Sequence, residues 1–278
     1  MLKEITVALA QISCKVGDKE YNLDVMRKKI KQAKSKGANL VVFPELALTG
    51  YVVRDLVYEL AEPIPRGESI RRLEEVSKKE DIHVVFGALE RSEKAHATLY
   101  NTAVLLGPNG FIGKYQKMHL PTHSVFEEKR YFRLGYQAPV FETEIGKLGL
   151  IICYDIFFPE ITRLLRLKGS QLIICISASP GIRRKFFETL ITARAIENTA
   201  FLVYVNLVGV ENGLQFWGGS RIVAPNGKIL SQAKYDEEDL VIEKIDYAYL
   251  KQAETFVPTL RDLRPELFNL LKEKAENL

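Results

Sequence analysis

Short apolar runs that alternate with amphipathic helical segments set the first constraint on this chain. A strand-like run over 5–12 precedes a segment in which Leu23, Met26, Ile30 and Ala33 recur at 3-4-3 spacing, with Gly37 placed to end that helix. A buried strand is expected at 39–43. A helix near 69–80, with Ile70, Leu73 and Val76 on one face, leads into a further apolar run over 82–89. The pattern returns as a strand at 148–153, a helix opened by Pro159-Glu160, a strand at 171–177, a long helix near 184–199 and a strand at 201–207. Such alternation predicts βαβ units.

Two hairpins interrupt it. Gly107-Pro108-Asn109-Gly110 separates runs at 98–106 and 111–115, and Pro225-Asn226-Gly227 separates 220–224 from 228–232. Pro presets φ in these turns and Gly supplies the positive φ that returns the chain. Hairpins mixed with βα units give an α/β fold of sheets covered by helices rather than one purely parallel sheet. With no repeat and no low-complexity linker, 1–278 reads as a single domain. The tail from about 256 to 278, with Leu260-Arg261-Asp262-Leu263-Arg264-Pro265-Glu266-Leu267-Phe268, reads as a C-terminal arm and helix.

At 278 residues and 47% hydrophobic content, the chain can bury a full core. Its net charge of +4, from 39 basic and 35 acidic side chains dispersed along the sequence, leaves no electrostatic footprint for nucleic acid. The first apolar run is too short to span a bilayer and lacks a small-residue cleavage pattern, so no membrane association and a cytoplasmic location are expected. Cys14, Cys153 and Cys175 show no Cys-x-x-Cys spacing, which fits free thiols in a reducing compartment.

Cys153 closes the apolar run Lys147-Leu148-Gly149-Leu150-Ile151-Ile152 and is followed at once by Tyr154-Asp155, as a thiol at the tip of a buried strand would be. A cysteine on an apolar strand is ordinarily packing, and Cys175 is read that way. Cys153 differs because of two other segments, Phe43-Pro44-Glu45-Leu46-Ala47-Leu48-Thr49-Gly50-Tyr51 and Tyr115-Gln116-Lys117-Met118-His119-Leu120-Pro121. Cleaving an amide needs a strong nucleophile, a base and donors for the developing oxyanion. Cys153, Glu45 and Lys117 supply these types. Lys117 and the helix start at Pro159 are expected to favour the thiolate, which is otherwise a minor species at a thiol pKa of about 8.5. Alone, Glu45 would read as a solvated strand end and Lys117 as a surface charge.

His119, His123 and Glu127 recur at intervals of four, as metal ligands on one helix face would. Pro121 lies between them and disfavours that helix, so no metal site is expected and His119 is read as orienting or packing beside Lys117. His83 on a strand and His96 in a polar turn suggest no Cys-His dyad. Neither a phosphate-binding loop nor a Gly-x-Gly-x-x-Gly turn follows the first strand, so no cofactor is implied.

Joined with Ala193-Arg194-Ala195-Ile196-Glu197-Asn198, Val205-Asn206-Leu207-Val208-Gly209 and Trp217-Gly218-Gly219-Ser220, the order Glu45, Lys117, Cys153 resembles the nitrilase superfamily of carbon–nitrogen hydrolases. The likeness runs from the first strand to the C-terminal region. It implies a four-layer α-β-β-α sandwich that dimerises through helices, with the C-terminal tail against a partner subunit. It also implies a Glu-Lys-Cys triad that hydrolyses a small-molecule amide through a thioester. Glu45 would be the base, and the backbone N–H of Tyr154 with the Lys117 ammonium would hold the oxyanion. Phe126-Glu127-Glu128-Lys129-Arg130-Tyr131-Phe132 is similar to the segment that supplies an assisting glutamate, and the Lys-Arg that follows favours Glu128 over Glu127. Tyr51 and Phe157 are candidate pocket walls. Arg183 is either a solvated helix start or the partner of a substrate carboxylate.

Nitrilases proper typically carry Cys-Trp-Glu where this chain has Cys153-Tyr154-Asp155, which favours an amidase or carbamoyl-amide hydrolase releasing ammonia or an amine. The alternative is a stand-alone glutaminase similar to that portion of glutamine-dependent NAD synthetase. The sequence has no Ser-Gly-Gly-x-Asp-Ser pyrophosphate motif, so that reading requires a partner protein. A reading from another class is a non-catalytic binding or scaffold module, against which the intact triad speaks.

Overall fold

Two six-stranded sheets packed face to face form the centre of the computed structural model, which describes residues 3–277. The first sheet runs β14 (Asp239–Asp246), β1 (Glu4–Gln11), β2 (Leu40–Val42), β3 (His83–Arg91), β4 (Leu99–Gly107), β5 (Gly110–Gln116). The second runs β13 (Ile229–Gln232), β12 (Arg221–Val223), β9 (Phe201–Asn206), β8 (Leu172–Ser177), β7 (Gly146–Ile152), β6 (Val140–Thr143). Each has a parallel trio at its centre, β1-β2-β3 in one and β7-β8-β9 in the other, with antiparallel strands on both sides. A separate hairpin joins β10 (Val208–Glu211) to β11 (Leu214–Trp217).

The period of two along each strand sorts side chains between two cores. On β1, Val7 and Leu9 enter the core shared by the two sheets, whereas Ala8 and Ala10 pack outward beneath helices. The outer face of the first sheet is covered by α1 (Lys19–Ser35) and α3 (Glu68–Lys79), through Leu23, Met26, Ile30, Ile70 and Leu73. The second sheet is covered by α5 (Pro159–Leu167) and α6 (Arg184–Asn198), through Ile161, Leu165, Phe187, Ile191 and Ala195. The result is the α-β-β-α sandwich. Strands buried on both faces explain why the central runs are continuously apolar. Asp18 caps α1 by accepting from the Tyr21 amide, and Pro159 opens α5 at a position where its missing N–H costs nothing.

Short helices α2 (Val57–Leu60) and α4 (Glu128–Tyr131) lie in the loops. The chain ends with α7 (Ala248–Phe256) and α8 (Glu266–Ala275); α8 has no buried residue and exposes Leu267, Phe268, Leu270 and Leu271. Sequence patterning does not announce β6, the β10–β11 hairpin, β14 or α7. β14 shows why: its half-buried, charge-studded sequence pairs antiparallel with β1 from the other end of the chain, a partner no local window contains. No helix among the described residues is long and apolar enough to cross a membrane.

Glu45, Lys117, Cys153 and Ala178 follow β2, β5, β7 and β8 respectively. β5 runs in the same sense as β3 after two antiparallel steps, so the first two residues leave the first sheet at one end. That end is where open α/β sheets bind their ligands.

Candidate active site

The strand expected to reach residue 153 stops at Ile152, because Cys153 turns into the left-handed region at φ 46°. For a residue with a Cβ this conformation costs of order 1–3 kcal/mol and persists only where surrounding structure enforces it. The chain then enters a 3-10 turn, Cys153–Phe157. Leu46, directly after Glu45, is likewise left-handed at φ 50°. Gly87 on β3 makes room for this second turn: a Cβ there would lie 2.1 Å from the Leu46 nitrogen. Two strained turns in the two sheets thus present Glu45 and Cys153.

Glu45 and Lys117 are both fully buried, which removes the solvated readings of each. The Lys117 ammonium donates to Glu45 Oε1 and to Glu128 Oε1, both at 2.7 Å. Glu45 is further fixed by Asn101 Nδ2 on Oε1 and by the Ala178 amide on Oε2, each at 2.7 Å. Glu128 Oε1 also accepts from the Tyr51 hydroxyl at 2.7 Å, while its buried Oε2 has no partner among the described residues. Tyr51 is held in turn by Glu211, whose Oε2 accepts from the Tyr51 and Val52 amides at 2.8 Å each.

The electrostatics follow from this packing. Burial opposes the charge on Lys117, but Glu128 and Glu45 outweigh it and hold the ammonium above its ordinary range. Burial pushes Glu128 up to about 7; Lys117 opposes that rise and Glu45 adds to it. The Cys153 thiol is held well above its ordinary value by burial and then by Glu45, and the pull of Lys117 in the other direction does not overcome them. Lys117 thus pulls toward the thiolate, as expected, but burial and Glu45 together outweigh it and the thiol keeps its proton. The helix opens at Pro159, as expected, with the 3-10 turn Cys153–Phe157 between it and the thiol.

Cys153 shares a cleft with Pro121, His123, Phe126, Tyr154, Phe157, Arg183 and Phe187, and the space within it is about 10 Å³, enough for one water. Phe157 is therefore a wall of the thiol's own pocket, and Arg183 stands at it from the 3-10 turn Gly181–Arg183. Tyr51 lines a different space, an outer cavity of about 680 Å³ with Glu128, Arg54, Asp55 and Arg130. Phe126 meets Tyr51 edge-on at 6.4 Å between the two spaces.

Residues 119–127 are not helical, so their spacing of four does not gather His119, His123 and Glu127 on one face. His119 bonds Asp155, and His123 packs against Phe126 and Tyr154. Sequence reasoning missed Asn101, Tyr115, Asp155, the Ala178 amide and Glu211. Of these, only Asp155 carried a usable signal, as an acid two residues after the candidate nucleophile.

Residues 6–255 match the carbon-nitrogen hydrolase family. A nitrilase from Pyrococcus abyssi is 38% identical over 248 residues, covering 87% of this chain and 90% of that protein. A carbon-nitrogen hydrolase from Helicobacter pylori G27 superposes with a TM-score of 0.89 at 27% identity, covering 97% of this chain and 98% of the other. A glutamate-to-glutamine variant of the amidase from Nesterenkonia sp. AN1, with the acetamide moiety of fluoroacetamide covalently added at its active site cysteine, superposes with a TM-score of 0.83 at 29% identity and 95% coverage of each chain. Glutamine-dependent NAD(+) synthetase from Aquifex aeolicus is 34% identical over 254 residues, 89% of this chain but 43% of that protein. The chain belongs to the carbon–nitrogen hydrolase family and is an enzyme of that class.

Proposed function

We propose that this chain hydrolyses the C–N bond of a small linear amide or N-carbamoyl compound, and that this substrate carries a carboxylate. The observation that carries the chemistry is the buried Lys117 ammonium, 2.7 Å from both Glu45 and Glu128, beside a thiol on a left-handed turn. Glu45 takes the Cys153 proton as Sγ bonds to the carbonyl carbon. The oxyanion is held by the Tyr154 N–H and the Lys117 ammonium. Collapse breaks the C–N bond as Glu45 returns the proton to the leaving nitrogen, which departs as ammonia or an amine. Water, deprotonated by Glu45, then cleaves the thioester and frees the acid. Glu128 assists by holding Lys117.

Arg183 supports the carboxylate. It lines the pocket of Cys153, and no side-chain hydrogen bond or ion pair of its own is found among the described residues. Guanidinium and carboxylate make a bidentate pair. Exposed Leu164 and Leu167 on α5, Ile196 on α6 and the apolar residues of α8 support a homodimer formed through these helices, with 1–278 as one domain. The free cysteines support a cytoplasmic, reducing setting. Tyr154-Asp155 after the nucleophile, where nitrilases proper typically carry Trp-Glu, favours amides over nitriles, and the likeness to the Nesterenkonia amidase agrees with it.

The test is ammonia release from a panel of small amides with and without a distal carboxylate, N-carbamoyl compounds, nitriles and glutamine, with Cys153→Ala as the blank. Turnover of a carboxylate-bearing amide that disappears in the blank supports the reading. Turnover that survives in the blank removes the triad, and preference for amides without a carboxylate removes the role of Arg183. Glutamine as the sole substrate would move the chain to the glutaminase reading that its likeness to half of NAD(+) synthetase supports.

A further inference from the structure

Asp155 takes no chemical step in that scheme, yet it is fully buried and receives four hydrogen bonds from both sheets. Its Oδ2 accepts from the amide of Ile152, the residue before the nucleophile, at 3.1 Å, and from the Tyr115 hydroxyl at 2.8 Å. Its Oδ1 accepts from the backbone N–H of His119 and lies at the same distance, 2.9 Å, from the ring Nδ1, which donates to it when it carries the proton. The His119 ring stacks on Phe158, with centroids 3.6 Å apart and planes within 6°.

Lys117 lies midway between residues 115 and 119. One carboxylate therefore grips the chain on both sides of the lysine and also the residue before the cysteine. Capping the 3-10 turn at Ile152 would occupy only one oxygen; the other is spent on His119. The polar partners of the Lys117 ammonium are Glu45 and Glu128, neither of which bonds the turn that carries Cys153. The Ala178 amide on Glu45 is a second bridge between sheets, and it too leaves that turn untouched.

We propose that Asp155 is the positioning residue that fixes Cys153 relative to Lys117 across the sheet interface. The inference rests on the triad reading above. Asn in its place presents one acceptor and one donor, so the backbone N–H of either Ile152 or His119 loses its partner, and one of the two catalytic segments is released.

The experiment measures kcat and KM on the amide the wild-type protein turns over, about 20 °C below each variant's own melting midpoint, where the chains are folded. For Asp155→Asn, kcat is expected to fall about 10²-fold with KM within about threefold, because a misplacement near 1 Å costs that much in rate. Tyr115→Phe, which removes one donor of four, is expected to fall by less than about tenfold. A kcat within about threefold of wild type for Asp155→Asn overturns the proposal, as does a rise in KM with kcat unchanged. If Asp155→Asn yields no folded protein, Tyr115→Phe combined with His119→Leu carries the test, with more than about a tenfold loss of kcat expected and an unchanged kcat refuting it. Turnover by Cys153→Ala would instead overturn the triad reading on which the inference stands.

Discussion

Glu128→Gln should make the protein more stable above neutral pH, by an amount the burial of this carboxyl sets. Glu128 ordinarily would titrate near 4.5 and is pushed up to about 7 in the folded chain by burial, against the pull of Lys117 and with the push of Glu45. Between these two values the folded chain holds a proton that the unfolded chain has released, so stability falls as pH rises through that window. The stabilising contribution is fully present below about 4.5 and lost above about 7. At about 1.4 kcal/mol per pH unit, the ionised Glu128 costs the folded state about 3 kcal/mol. Gln keeps the Oε1 acceptor for Lys117 and Tyr51 and has no proton to lose, so it behaves as the protonated form at every pH. Thermal melts of both proteins from pH 5 to pH 9 should diverge as pH rises, with the variant ahead by roughly 6–12 °C at the alkaline end, from about 2–4 °C per kcal/mol. Lys117, Cys153 and Tyr51 also feel Glu128, but all three are held above their ordinary ranges and keep their protons in the folded chain across this window, so the difference reports this carboxyl. Parallel curves, or a variant that falls behind as pH rises, would refute the account of Glu128 as a carboxyl strained by burial.

Three further outcomes follow from the same site. Cys153→Ala should abolish amide turnover and leave the melting curve close to wild type; Cys153→Gly should be equally inactive but about 1 kcal/mol more stable than Cys153→Ala, since glycine relieves the left-handed turn, and the reverse order of midpoints would count against strain at φ 46°. Alkylation of Cys153 by iodoacetamide, followed by mass on its peptide, should rise with a midpoint above the ordinary thiol range of about 8.5, and a midpoint below 7 would contradict a thiol held protonated by burial and Glu45. Cys175, fully buried on β8 and pushed up to about 12, mainly by burial, should stay a thiol: Cys175→Ala is expected to keep kcat within about threefold at a stability loss of about 1–2 kcal/mol, and a larger loss of turnover in folded protein would give it more than a packing role.

Much of the fold was legible because the central strands are buried on both faces and their helices carry one apolar stripe each. Leu23, Met26, Ile30 and Ala33 are all buried in α1, and both hairpins form where Pro, Asn and Gly place them. The triad was legible for a different reason: its members lie at strand ends, where an apolar run breaks into a polar or strained residue. The supports of the triad were not. Asn101 reaches Glu45 from β4, and Glu211 reaches the Tyr51 amide from 160 residues away. These partners are set by sheet order and register, which no window of sequence contains. The balance of effects on the Cys153 thiol was out of reach for a related cause. Type and spacing pointed to the attraction of Lys117, but the depth of burial and the proximity of Glu45 decide the sum.

The protonated thiol bears on how the cluster can work without burying an unbalanced charge. Below about pH 7, where Glu128 holds its proton, the site pairs Glu45 with the Lys117 ammonium 2.7 Å away. Moving the Cys153 proton to Glu45 replaces the carboxylate by a thiolate and leaves the ammonium in place, so the net charge of the dry site does not change. Lys117 cannot be the base, because an amine held above its ordinary range already carries its proton and has no lone pair with which to take another. Isolated buried charge costs several kcal/mol per ion, whereas an exchange within a neutral pair costs far less. Lys117 therefore serves the reaction by remaining charged throughout, and the left-handed turn at Cys153 serves it by presenting the thiol where the incoming carbonyl oxygen can meet that charge.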